Sequence, residues 1–435
     1  MDWLEMHNVE FGECIVMGGG DNSMLMVDCG SMNHKIREND MEVCDYIAQY
    51  VMPRYRDVKE RSFLLTHFHR DHMAGFRQIL KKEPGYFQRI YLPMTPVDSR
   101  GRALLIEFAV YVFAFLGRQS EYSQMSVGAL RIFERLHGIL GADAIVTVGR
   151  GSAFSFDGVD YDVLWPSVEN YPFSSLFTDI VEELDVCLSS PFLGKNAPAF
   201  LELKRKFADE YIACCKLLSG ENRGEIIDIE ASIERMAGTL DAVEELIDSL
   251  LFLPAAQDIL EILDRPSVRA EYSNAQNAAS VVFQNRRVRE SSYDDILMTG
   301  DATPETFDEI GPDLYGGYYI FKAPHHGTQS HWSDLFSEIS KQHILISNGD
   351  YHAAGLVALC YAQEEKGIKH CTNPSACAWM SDYGRCCNRI AYCYEACERG
   401  SLTLKCPKCI TQEGEAGCRI YLISYGKDKG CFCDE

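Results

Sequence analysis

The sequence predicts an α/β sandwich in which two sheets share one core, and three observations predict it. Apolar runs of strand character lie near both ends of the chain, long stretches of helical periodicity separate them, and 46% of the 435 residues are hydrophobic. That apolar content fills one large core or two smaller ones and argues against disorder.

The elements follow in order. Cys14 to Met17 and Ser23 to Val27 read as paired strands around Gly18-Gly19-Gly20-Asp21, the second ending at Asp28-Cys29-Gly30. A helix from about Glu42 to Tyr50 comes next. The apolar run Phe63-Leu64-Leu65 then breaks into Thr66-His67-Phe68-His69-Arg70-Asp71-His72. Beyond it Met73, Phe76, Ile79 and Leu80 recur at helical spacing, and Lys81 and Lys82 sit where a helix dipole favours cations. The histidine motif therefore lies between a strand and a helix N-terminus. Helical patterns fill about 99–140 and about 174–263, with Phe200 to Leu218 and Ile229 to Leu253 the clearest amphipathic stretches. Strands are expected at Ala144 to Val148 and Tyr161 to Leu164 between these blocks. They return at Ser280 to Phe283, Ile296 to Thr299, Tyr318 to Phe321 and His343 to Ile346.

Charge and composition narrow the function classes. A net charge of −23 repels polyanions at long range, so a nucleic acid would have to be held locally, for instance by bound divalent cations. The longest apolar run, Ala103 to Leu116, is interrupted by Glu107 and falls short of the roughly 20 residues a spanning helix needs. It reads as a buried helix, and no membrane association is expected. The acidic start, with Asp2, Glu5 and Glu10, does not resemble an export signal. A cytoplasmic, reducing location is the expectation.

His67 and His69 are two apart in an extended segment, which points both imidazoles to one side, and the following turn can bring Asp71 and His72 alongside. Imidazole and carboxylate suit zinc, manganese or iron, and two ions about 3.5–4 Å apart can share an activated hydroxide. A polar loop that merely contains histidines is the plainer alternative, and the dense H-x-H-x-D-H pattern after an apolar strand speaks against it.

At this motif the chain resembles the metallo-β-lactamase superfamily. The resemblance implies an αββα sandwich and an aspartate at the end of an early strand, which Asp28 supplies as support for the site. It also implies a strand ending in Gly-Asp, supplied by Thr299-Gly300-Asp301, with Asp301 bridging two metals. Within the superfamily the chain is similar to the metallo-β-lactamase-like domain of the ComEC DNA-uptake proteins. Phe321-Lys322-Ala323-Pro324-His325-His326-Gly327-Thr328, Leu164-Trp165-Pro166, Asn277 with Ser280, and Ile346-Ser347 with Gly349 before His352 carry that likeness over roughly residues 8–372. No stretch of these residues reads as the channel-forming membrane part of those proteins, so DNA transport by this chain alone is not expected. The chain departs where the superfamily often has a third histidine, for Leu164-Trp165-Pro166 stands there, so His325, His326 or His352 must complete the coordination. It also keeps histidine at position 69, where ComEC commonly has aspartate, and this favours zinc over manganese. His352 stays open between ligand, general acid and loop residue.

The resemblance implies a metal-dependent hydrolase over 1–372, with the helical blocks as insertions. The expected reaction is phosphodiester cleavage by a dinuclear metal-activated hydroxide, with nucleic acid or a nucleotide as substrate. The expected metal ligands are His67, His69, Asp71, His72, Asp301, His325 and His352. Asp71, His326, His352 and Lys322 are the expected catalytic set, with His326 or His352 protonating the leaving oxygen. Lys322 and Arg70 are candidate phosphate clamps, against the plainer reading as structural or solvated cations. Hydrolysis of a small phosphodiester, such as a cyclic nucleotide, or of another small ester or amide is the second enzymatic reading. A non-catalytic interaction module with a vestigial metal site is the third, and the helical insertion would then serve a protein partner or a second copy.

Most of the 18 cysteines fall between Cys360 and Cys433, which in a reducing compartment suggests metal binding. Residues 373–435 are expected to form a cysteine-rich region, with structural zinc drawn from Cys393, Cys397, Cys406, Cys409, Cys418, Cys431 and Cys433. Reduced, partly buried thiols and disulfides are the alternatives. Arg419 to Ser424 reads as a strand that returns to the main sheet.

Overall fold

The computed structural model describes residues 3–36, 40–117, 126, 128–220, 223–287, 295–350, 357–364, 367–373, 376, 380, 402–405, 421–424 and 430–431. The protein is α/β with two mixed sheets, the arrangement expected of an α/β sandwich. It divides into two compact units. The first holds 1–91, 153–165 and 280–435, the second 92–152 and 166–279.

The first unit carries both ends of the chain. One sheet contains β1 (Trp3–Met6), β2 (Ile15–Gly18), β3 (Ser23–Val27), β4 (Glu60–Leu64) and β5 (Arg89–Pro93). β3, β4 and β5 run parallel, whereas β1, β2 and β3 are antiparallel neighbours. The other sheet has seven strands. β7 (Ala153–Phe156), β8 (Val159–Trp165), β9 (Val282–Asn285) and β10 (Ile296–Met298) pair antiparallel, and β11 (Gly317–Lys322), β12 (Ser340–Ile346) and β13 (Ile368–Cys371) follow in parallel from β10. β14 (Leu402–Lys405), β15 (Tyr421–Ser424) and β16 (Gly430–Cys431) extend the first sheet beyond β1. Of the strand expected at Arg419 to Ser424, the described residues Tyr421–Ser424 pair with β14 in that sheet.

Every residue of β2, β3 and β10 is buried, with apolar side chains on both strand faces, and β9 is buried too because its Gln284 and Asn285 accept from the Tyr318 hydroxyl and the Ile296 N–H. α1 (Arg70–Lys82) covers β4: Met73, Phe76 and Ile79 are buried, and Phe76 stacks on Phe63 at 4.0 Å between ring centroids. Burying each such side chain stabilises the fold by about 1.5–3 kcal/mol. Asp71 in the first turn of α1 and Lys81 and Lys82 in the last complement the helix dipole. The expected helix at Glu42 to Tyr50 starts at Val43 and runs to Arg54, with a π-helical stretch at Ile47–Val51.

The second unit contains both helical stretches read from the sequence, together with β6 (Ile145–Val148). Its helices include α2 (Leu104–Leu116), α3 (Ile132–Leu140), α4 (Ser175–Leu188), α5 (Asn196–Leu218) and α6 (Ile226–Leu251). Glu107, the one charge inside the apolar α2, is buried but paired: its carboxylate accepts from Arg102 and lies 2.6 Å from Lys204 Nζ on α5. Lys204 also reaches Asp185 on α4, and Tyr111 on α2 donates to the same carboxylate at 2.7 Å. The network ties three helices together and pairs each charge that it buries, which is the condition for burying any. Among the described residues no helix is long and apolar enough to cross a membrane.

Candidate metal centre

The site is built where strands of both sheets end. β4 runs out at Leu64, and Thr66 to His72 follow it into α1, with His69 as the residue preceding the helix. β3 ends at Val27, and Asp28 follows it with a φ of 55° and its carboxylate on Thr66 of the motif. β10 ends before Gly300-Asp301, and β11 leads into His325 and His326. Gly300 has a φ of 50°, and a Cβ there would stand 2.9 Å from that of Ser280 and 3.0 Å from that of Thr66. Only glycine lets Asp301 approach so closely. His325, His326 and Gly327 all have positive φ, at 46°, 58° and 75°. Two consecutive non-glycine residues in this region carry strain, which concentrates at functional sites.

Four buried side chains converge: Asp71, His72, Asp301 and His326 offer donor atoms all within 4.8 Å of one another. Asp301 Oδ2 lies 3.1 Å from His72 Nε2 and 3.6 Å from His326 Nε2, while Asp71 Oδ2 lies 3.1 Å from His326 Nε2 and 3.9 Å from His72 Nε2. Ligands arranged tetrahedrally at bonds of about 2.1 Å are about 3.4 Å apart. The donor set therefore fits a divalent ion in both chemistry and spacing. Asp301 Oδ1, on the side away from the histidines, is buried without a hydrogen-bond partner and lies 3.6 Å from Lys322 Nζ.

Supporting residues set which ring nitrogen faces inward. His72 Nδ1 donates to Asp28 Oδ2 at 2.7 Å, leaving Nε2 for the cluster. Asp28 also accepts from the Thr66 backbone N–H at 2.8 Å and from the Thr66 hydroxyl at 2.7 Å. His326 Nδ1 donates to the Ser347 carbonyl at 2.8 Å, so its Nε2 faces Asp71. His67 and His69 stand beside the four: His67 Nε2 meets His69 Nδ1 at 2.9 Å, and the His67 ring lies 4.1 Å from that of His72. His325 Nε2 is 3.8 Å from Asp301 Oδ2, and the His325 ring stacks on His331 at 3.9 Å.

The electrostatics follow from burial and neighbours. Burial alone would raise the Asp301 carboxyl, but His72, His326 and His325 outweigh it and hold it well below the usual carboxylate range. Burial would lower His72; Asp301, Asp28 and Asp71 reverse this and raise it well above an ordinary imidazole. His67 is pushed well below by burial and by His72 and His69, and His325, mainly by burial, is pushed down to about 3. Both are neutral near pH 7, the state in which imidazole binds metals.

The structure thus brings together Asp71, His72, Asp301 and His326, with Asp28 behind His72, and places His67, His69 and His325 at their edge. His326, expected as a proton donor, stands among the four that could hold an ion. Lys322 is only 1% exposed and lies 2.9 Å from Glu13 Oε2. Arg70 opens α1, and its guanidinium lies 3.0 Å from His34 Nδ1. His352 lies outside the described residues. So do Cys393, Cys397, Cys406, Cys409, Cys418 and Cys433; Cys431 is described in its backbone alone.

Sequence reasoning missed Glu13, Thr66 and His331. Thr66 lies inside the histidine motif without a spacing signal of its own, and Glu13 is a lone acid before a strand that no spacing rule singles out. His331, buried beside His325, follows the Pro-His-His-Gly run by four residues and carries no pattern of its own. The chain matches no protein-family model and no curated protein.

Proposed function

We propose that this chain is a metal-dependent phosphodiesterase of the metallo-β-lactamase type, with an αββα core and a nucleic acid as substrate. One observation carries the reading: Asp301 and His72, 229 residues apart in sequence, place a carboxylate oxygen and a ring nitrogen 3.1 Å apart in a buried cluster with Asp71 and His326. The second support is the donor chemistry, two imidazoles and two carboxylates with His67, His69 and His325 beside them, which suits zinc or manganese. When bound there, divalent ions supply an activated water and positive charge for the phosphoryl oxygens.

The chain's own residues prepare that chemistry. Asp28 fixes the His72 ring and Ser347 fixes the His326 ring, so neither pivots when substrate enters. His326 has both ring nitrogens engaged and no exposed surface, whereas the His325 side chain is 23% exposed. His325 is thus the histidine of that run that an incoming substrate reaches first, as a neutral imidazole that can bind or orient it. Its Nδ1 lies 2.7 Å from Thr328 Oγ1, which holds the ring while Nε2 stays on the Asp301 side.

A small phosphodiester is the second reading, favoured by the net charge of −23 and by the depth of the four donors, none more than 8% exposed. One experiment tests both. Purified protein is assayed for metal content, then incubated with single-stranded DNA, duplex DNA, RNA and cyclic dinucleotides with Zn²⁺ or Mn²⁺, with His69→Ala and Asp301→Ala as controls. Polymer cleavage lost in both variants is the expected result; cleavage of small diesters alone transfers the proposal to the second reading. Absence of bound metal and of all hydrolysis refutes both.

A further inference from the structure

We propose that Lys322 and Glu13 form an internal brace that positions Asp301 and His326 for metal binding, so that Lys322 is a positioning residue and not a phosphate clamp. This inference rests on the metal-centre reading above. Lys322 ends β11 and is 1% exposed. Its ammonium lies 2.9 Å from Glu13 Oε2 and donates to the Gly300 carbonyl at 2.8 Å. An ammonium has three donors, and the one that remains has Asp301 Oδ1 3.6 Å away. At 1% exposure an amine so enclosed is closed off from a phosphate arriving from solvent.

Gly300 directly precedes Asp301, so Lys322 grips the backbone and flanks the far oxygen of the same carboxylate. The near oxygen, Oδ2, is thereby kept toward His72, His326 and His325, at 3.1, 3.6 and 3.8 Å. Glu13 anchors the ammonium from the opposite sheet, just ahead of β2. Its backbone N–H donates to the Asp71 carbonyl at 3.0 Å, its carbonyl accepts from Gly30 at 2.9 Å, and its Oε2 lies 3.9 Å from His326 Nδ1. One residue therefore reaches the segments that carry Asp71, His326 and, through Lys322, Asp301. A buried ion pair is seldom the best filling for a core. Its location directly behind the donor atoms is where outer partners orient ligands.

The test compares wild-type protein with Glu13→Gln, Lys322→Met and the double variant. Zn²⁺ affinity is measured by competition with a chelator, the absorption of the Co²⁺-loaded protein is recorded, and thermal unfolding of the metal-free protein is followed. Each single variant strands a buried charge, so the double variant, which strands none, carries the decision. Expected is a double variant whose metal-free unfolding is near wild type but whose Zn²⁺ affinity is about 10–100-fold weaker, with altered Co²⁺ bands. Wild-type affinity and wild-type bands in the folded double variant overturn the brace and leave a purely structural ion pair. Unchanged metal binding in Lys322→Met with a raised KM for a phosphodiester overturns it in favour of the clamp. If the double variant does not fold, Glu13→Gln, which preserves the shape of the carboxylate, decides by the same affinity and spectral measurements. A wild-type protein that binds no Zn²⁺ or Co²⁺ sinks the metal-centre reading itself, and the brace with it.

Discussion

Asp28→Asn is the sharpest single perturbation of this site, because one carboxylate sets two imidazoles. Asp28 Oδ2 accepts from His72 Nδ1 and from the Thr66 hydroxyl, both at 2.7 Å. Having given its hydrogen to Asp28, Thr66 Oγ1 can only accept from His67 Nδ1, 3.1 Å away. His72 is therefore held with Nδ1 on Asp28 and Nε2 toward the cluster, and Thr66 Oγ1 orients the His67 ring through its Nδ1. Asparagine matches the size of the side chain and tolerates the φ of 55°. Its carbonyl can keep the bond from the Thr66 N–H, but its NH2 group faces two donors where Oδ2 accepted from both. Losing one bond from an imidazole and one from a hydroxyl to a carboxylate costs about 2–4 kcal/mol. Release of the two rings weakens metal binding about 10–100-fold, or about 1.4–2.7 kcal/mol. Urea unfolding of the metal-free protein reads the first quantity and chelator competition the second. Asp28→Asn protein that is destabilised yet binds Zn²⁺ within threefold of wild type would refute the orientation argument and leave Asp28 a role in folding alone.

Other substitutions test separate parts of the structure. Gly300→Ala places a Cβ within 3.0 Å of Ser280 and Thr66 at a φ of 50°, so Asp301 must shift; weakened Zn²⁺ binding is expected in a folded protein, and unaltered binding refutes the close approach. Lys204→Met removes a cation buried between Glu107 and Asp185 and is expected to destabilise the helical unit by about 3–5 kcal/mol, read as earlier loss of helical circular dichroism on heating. The same network fixes an acid limit. Burial would raise both carboxyls, but Arg102 and Lys204 outweigh it at Glu107, and Lys204 leads the groups that do so at Asp185, so both sit below their ordinary values. Their stabilisation is then present above the unfolded values near pH 4 and is lost as pH falls through the lower folded values. Thermal stability of the helical unit should fall below about pH 4.5 in wild type and show a weaker acid dependence in Lys204→Met. Equal acid dependence in the two proteins contradicts the assignment.

What the sequence made legible and what it hid divide along physical lines. Local chemistry could be read: the apolar runs of β3 and β4, the 3.6-residue repeat that makes α1, and the compression of three imidazoles and a carboxylate into His67 to His72 all act over a few residues. Even so, spacing shows only that side chains share a face, not which of their atoms meet. His67 and His69, the most conspicuous pair, pack against each other at 2.9 Å beside the group of four. His326, which the Pro-His-His-Gly run could not distinguish from its neighbour, enters that group because its φ of 58° turns the ring toward Asp71. Long-range partners were hidden for a different reason. Glu13 and Lys322 lie far apart in the chain and each is unremarkable in its own context, so only the meeting of the two sheets reveals them as a pair. Lys322 shows the consequence most plainly: beside a metal motif a lysine invites a reading as a phosphate clamp, and burial alone changes that reading. A charge 1% exposed, with an anion 2.9 Å away and a carbonyl at 2.8 Å, acts on its protein neighbours before it can act on any substrate.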